Sequence, residues 1–85
     1  MKNYTLKLYK TNGEVETVRT KKKRRFLRNI RTINWQLDGI KKAYIKVSYG
    51  KKMCNYGCLC DFYNDGYCDN KEELLQTFRY FDYED

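Results

Sequence analysis

Four cysteines fall within fifteen residues of an 85-residue chain, at Cys54, Cys58, Cys60 and Cys68, and none lies elsewhere. A domain this short buries a modest core, and chains of its size often add a metal or disulfides as a staple. The spacing is C-x3-C-x-C-x7-C. Four thiolates suit a tetrahedral zinc ion, with Zn–S distances near ~2.3 Å.

The local sequence offers a way to gather them. Cys58 and Cys60 are two apart and share a face on extended backbone. Asn64-Asp65-Gly66 reads as a three-residue turn, type I with Gly66 in the left-handed position. That register pairs Tyr63 with Tyr67 and Phe62 with Cys68, and it puts Cys68 on the face of Cys58 and Cys60. Cys54 then curls in across Asn55-Tyr56-Gly57. The expectation is a Cys-rich hairpin over 54–68 holding one structural Zn2+ through Cys54, Cys58, Cys60 and Cys68, with Tyr63 and Tyr67 covering it. Two other uses of the cysteines stay open: thiols with no metal, since unpaired Cys is often a small core residue, and disulfides. Disulfides would need an oxidising compartment, and Met1-Lys2-Asn3-Tyr4-Thr5 lacks the apolar stretch of a secretory signal. No apolar run approaches the ~20 residues of a membrane span. The expected setting is therefore the cytoplasm. Iron–sulfur spacings are absent.

Hydrophobic periodicity outlines the rest. Tyr4, Leu6 and Leu8 alternate with Thr5, Lys7 and Tyr9, Asn12-Gly13 follows, and residues 14–19 return, which predicts a β-hairpin. Phe26, Ile30, Ile33 and Leu37 form one stripe of a helix over 21–37, with Thr20 as N-cap and Gly39 as stop. Ala43, Ile45, Val47 and Tyr49 line one face of a third strand over 41–49, with Tyr44, Lys46 and Ser48 on the other. Asp69-x-x-Glu72 and Asn70-x-x-Glu73 resemble capping boxes before a last helix whose apolar face is Leu74, Phe78 and Phe81, with Leu75 beside it. The expected fold is a single α+β domain over 1–85: a basic ββαβ part (1–53), the zinc hairpin (54–68), then a C-terminal helix and acidic tail (69–85).

Charge divides along the chain. Residues 1–52 hold sixteen Lys and Arg against three Asp and Glu, and residues 53–85 hold two against eight, for a total of +7. Such asymmetry points to an acidic partner for the first half or to association between the halves. Lys21, Lys22, Lys23, Arg24 and Arg25 open the first helix, and Arg28 and Arg31 continue it. Cations there oppose the helix dipole, whereas free N–H groups attract anions, so this run is the candidate site for phosphate or for a partner's carboxylates. The alternative is a solvated charged face. Tyr56, Tyr63, Tyr67, Tyr80 and Tyr83 lie in the acidic half, where exposed rings make protein-binding anchors.

No Walker loop, dinucleotide fingerprint or HExxH motif occurs, and histidine is absent. A catalytic cysteine would lack its usual base. The expectation is a binding protein that is not an enzyme.

Thr11-Asn12-Gly13-Glu14-Val15, the run Lys22-Lys23-Arg24-Arg25-Phe26-Leu27, and Tyr63-Asn64-Asp65-Gly66-Tyr67 followed by Asn70-Lys71-Glu72-Glu73-Leu74 carry a resemblance. The chain resembles small proteins of phages and mobile elements in low-GC bacteria. Among them it is similar in size and style to anti-CRISPR proteins of the type II, Cas9-inhibiting kind. The resemblance implies non-covalent binding to a Cas9 effector in the host cytoplasm and a block of target-DNA loading or cleavage. Many such proteins are acidic DNA mimics, and the net +7 departs from that pattern, which favours contact with the effector protein over mimicry. The alternative is a small basic protein that binds nucleic acid through the helix run.

Overall fold

Period-two alternation of apolar residues becomes one antiparallel sheet. The computed structural model describes residues 2–53 and 59–82, and side chains within 2–49 and 63–82. The elements run in the order β1 (Asn3–Lys10), β2 (Val15–Thr20), α1 (Lys23–Thr32), β3 (Ile40–Met53), β4 (Leu59–Cys68) and α2 (Lys71–Phe81). The four strands lie in the order β2-β1-β3-β4, with every neighbouring pair antiparallel.

The first hairpin forms as its sequence predicts. Lys10 and Glu14 close it, Gly13 takes φ +90°, and Asn12 Oδ1 accepts from the Glu14 N–H at 2.9 Å. Glycine adopts that φ without the Cβ penalty other residues meet. One face of the sheet then carries Tyr4, Leu6, Leu8, Ala43, Ile45, Val47 and Cys68, all buried. Both helices cover this face: α1 packs on β2, and α2 packs on β4 and β3. Phe26 of α1 and Phe78 of α2 meet Tyr4 with ring centroids 5.2 and 5.8 Å away, and each other at 5.4 Å. Truncating either phenylalanine would cost about 3–5 kcal/mol.

α1 is shorter than its periodicity suggests. It ends at Thr32, and Ile33 is extended at φ −65° and ψ 128°. Asn34 then organises a separate turn: its Oδ1 accepts from the Leu37 N–H, and Asp38 Oδ2 accepts from the Asn34 N–H. Short polar side chains of this kind compete with the helix for backbone donors. Leu37, placed by spacing on the helix stripe, is 84% exposed. At the other end Thr20 is not the cap. Lys22 occupies that position without a side-chain cap, and Thr20 Oγ1 accepts from its N–H. The free carbonyls of Arg31 and Ile33 accept from Lys71 Nζ at 2.6 and 2.9 Å, a cation at the end of the helix where the dipole favours one. α2 is capped as expected, with Asn70 Oδ1 accepting from the Glu73 N–H at 2.8 Å.

The larger correction concerns the second half of the chain. The fold is an α+β domain of order β-β-α-β-β-α, and Asn64-Asp65-Gly66 forms no hairpin. These three residues lie inside β4, paired to Val47, Lys46 and Ile45. Gly66 lacks the positive φ a left-handed turn position requires. Phe81 packs above it, with Cζ 3.6 Å from where a Cβ would stand, an ordinary contact distance. Turn-forming residues yield here because a long β3 offers them a full ladder and α2 packs over them. No helix among the described residues is long and apolar enough to cross a membrane.

Candidate functional site

The fold brings together a surface that none of the sequence motifs marks. The two helices lie on one side of the sheet, and no element among the described residues covers the other. Cross-strand register sets its side chains in rows. Val15, Tyr9 and Lys42 make the first; Thr17, Lys7, Tyr44 and Tyr67 the second; Arg19, Thr5, Lys46 and Asp65 the third; Asn3, Ser48 and Tyr63 the fourth. In these four rows, four cations share the face with one carboxylate and four tyrosines.

The rings are connected. Tyr44 and Tyr67 are 5.1 Å apart between centroids, and Tyr9 and Tyr67 are 6.2 Å apart. Lys42 Nζ lies over both Tyr9 and Tyr67, at 5.4 and 4.8 Å. Lys46 Nζ lies 4.4 Å from the Tyr63 centroid, and Lys7 Nζ 5.9 Å from that of Tyr44. Such cation–π contacts hold flexible lysines near the surface at about 0.5–1 kcal/mol each when exposed. Tyr63 and Tyr67 remain 51% and 58% exposed. The Tyr44 hydroxyl donates to Asp65 Oδ2 at 2.8 Å, which occupies the carboxylate of these rows. Burial, followed by that bond and the Asp65 charge, pushes the Tyr44 hydroxyl up to about 12.

The basic run on α1 lies elsewhere. Lys21, Lys22, Arg24, Arg25, Arg28 and Arg31 are exposed, while Phe26 and Ile30 turn to the core. Lys23 is drawn into a different contact. Its Nζ is 3.1 Å from Asp82 Oδ2, while Lys2 Nζ and the Tyr4 hydroxyl donate to Asp82 Oδ1 at 2.8 and 3.0 Å. The Asp82 side chain is 1% exposed. Burial acts to raise its pKa, yet the bonds from Lys2, Lys23 and Tyr4 outweigh it and hold the carboxyl below its ordinary value. This clasp joins the start of β1, the start of α1 and the end of α2.

Cys60 and Cys68 are not brought together as expected. Cys54 and Cys58 lie outside the described residues. Cys60 pairs with Lys52, and Cys68 with Ala43, on one continuous strand. Eight residues of strand place them about 26 Å apart, whereas two ligands of one zinc have sulfurs within about 4 Å. The expected arrangement depended on the 64–66 hairpin folding Cys68 back. Cys68 is fully buried in the core, its Sγ donating to Thr77 Oγ1 at 3.5 Å. Burial raises its thiol pKa, which keeps it a neutral core residue. Among the described residues no group of three His, Cys, Asp or Glu stands together as a metal site.

Sequence reasoning saw Tyr44, Lys46 and Ser48 on one side of β3 but did not join them to Lys7 and Tyr9, or to Tyr63 and Tyr67. The available signal was the alternation Lys7-x-Tyr9, Lys42-x-Tyr44-x-Lys46 and Tyr63-x-Asp65-x-Tyr67. No protein-family model matches the chain, and no curated protein or solved structure matches it either.

Proposed function

We propose that this chain is a nucleic-acid-binding protein and that the open sheet face takes single-stranded DNA or RNA. The observation that carries the reading is the interleaving of Tyr9, Tyr44, Tyr63 and Tyr67 with Lys7, Lys42 and Lys46 across three strands, on a sheet face that no element among the described residues covers. Exposed rings on a rigid surface stack unpaired bases at about 1–3 kcal/mol per base, and lysines beside them meet the phosphates. The ammonium groups now resting on the rings need only rotate outward. A duplex fits this face poorly, because its bases are already stacked on one another.

The reading follows the nucleic-acid alternative and moves its site from the helix to the sheet. An inhibitor of a Cas9 effector would use these tyrosines as protein anchors; the lysines interleaved with the rings favour a phosphate-bearing strand instead.

The test is fluorescence anisotropy with labelled single strands of about a dozen nucleotides, a length within the footprint of stacking platforms. Wild-type protein should bind, and the Tyr67→Ala variant should bind about tenfold more weakly while still unfolding in a cooperative thermal melt. Absence of binding at low salt would contradict the reading.

A further inference from the structure

The outer side of α1 is a strongly basic surface that the sheet-face reading leaves unused. Arg24, Arg28 and Arg31 stand at i, i+4 and i+7, one line along the helix, with Arg25 beside them and Lys21 and Lys22 ahead. All are exposed. Phe26 and Ile30 turn the opposite side of α1 to the core, so this line faces away from the sheet. The line and the tyrosine platform therefore lie on opposite sides of a two-layer domain.

Two observations separate this run from a solvated face. First, Arg24, Arg25, Arg28 and Arg31 take part in none of the ion pairs among the described residues. The first turn of α1 has no acidic residue and its N-cap makes no side-chain bond, so Arg24 and Arg25 act against the helix dipole, while Arg31 lies in the last turn, where the dipole favours a cation. Second, Phe26 and Ile30 are buried and Leu27 is half-buried, which leaves the outer side with guanidinium groups and no exposed apolar or aromatic anchor. A protein interface draws its affinity from such anchors at its centre. A phosphate backbone needs none, and the planar guanidinium fork matches phosphate oxygens in pairs.

We infer that the outer side of α1 is a second nucleic-acid surface, one that binds the phosphate backbone of a duplex irrespective of sequence. Combined with the sheet platform, on whose reading this last step rests, it makes the domain a bridge between a duplex and a single strand.

Three proteins test it: wild type, the platform variant Tyr9→Ala/Tyr67→Ala, and the stripe variant Arg24→Gln/Arg28→Gln/Arg31→Gln. Glutamine keeps the helix propensity, and thermal melts of both variants check the fold. Duplex DNA is titrated over a salt series. The platform variant should bind duplex as wild type does. The stripe variant should lose at least tenfold in duplex affinity at low salt, and its slope of log K against log salt should be shallower by about 2 to 3. A strand tethered to a surface should capture labelled duplex only when wild-type protein is present. The stripe variant should still bind that tethered strand alone. Full duplex affinity in a folded stripe variant overturns the inference, as does equal competition by polyglutamate, which would mark the surface as one for acidic protein. Failure of the sheet reading is a separate result: wild type would then bind duplex through the arginines but hold no single strand.

Discussion

The Tyr44 hydroxyl donates to the Asp65 carboxylate at 2.8 Å, from β3 to β4 across the open face of the sheet. Asp65 could not meet Tyr44 from the tip of a hairpin. The bond exists because β4 runs straight through the turn-like residues, and it fixes the ring on which the platform is centred.

Its removal should be visible in the titration of tyrosine. Burial and Asp65 together raise the Tyr44 hydroxyl from 10.0 to about 12. Asp65→Asn removes the charge, so the value should fall part of the way back, burial being the larger cause. A raised acid favours its neutral form in the fold. The stabilisation is thus complete below pH 10 and fades as pH rises through about 12. Ultraviolet titration of wild type and variant checks both statements.

Two glycines test the path of the chain. Gly13 has φ +90°, so Gly13→Ala should cost about 1–2 kcal/mol through backbone strain, although nothing lies within 4 Å of the new Cβ. Gly66 is extended, and a Cβ there meets Phe81 at an ordinary 3.6 Å. Gly66→Ala should be neutral or stabilise by up to about 1 kcal/mol. Urea denaturation of the pair distinguishes a strand at Gly66 from a turn, since a turn would make the two substitutions cost alike.

The clasp at Asp82 should govern acid stability. Asp82→Asn leaves Lys2 and Lys23 without their shared carboxylate and should cost about 2 kcal/mol. The native carboxyl titrates below its ordinary 3.8. Its contribution is therefore present above pH 3.8 and lost as pH falls through the lower native value. Denaturation midpoints of wild type and variant should converge in that acid range and differ at neutral pH.

Local signals were legible where one short segment decides the outcome. Asn12-Gly13 made a turn, Asn70 made a cap, and the alternation of Tyr4, Leu6 and Leu8 marked the buried face. They failed where a neighbour decides. Asn64-Asp65-Gly66 is turn-like in isolation, but β3 pairs with it and Phe81 fills the space above Gly66. Ile33 and Leu37 extend a helical stripe on paper, yet Asn34 and Asp38 build their own turn between them. The platform was hidden for the same reason. Lys42 sits between Tyr9 and Tyr67 only because β3 lies between β1 and β4, and strand order is a property of the whole fold.

The most direct measurement of the central claim is an amide chemical-shift map of isotope-labelled protein titrated with an unlabelled single strand at moderate salt. The largest shifts should trace Tyr9, Lys42, Tyr44, Lys46, Tyr63 and Tyr67 across β1, β3 and β4. Shifts centred on α2, or none at saturating strand, would contradict the account.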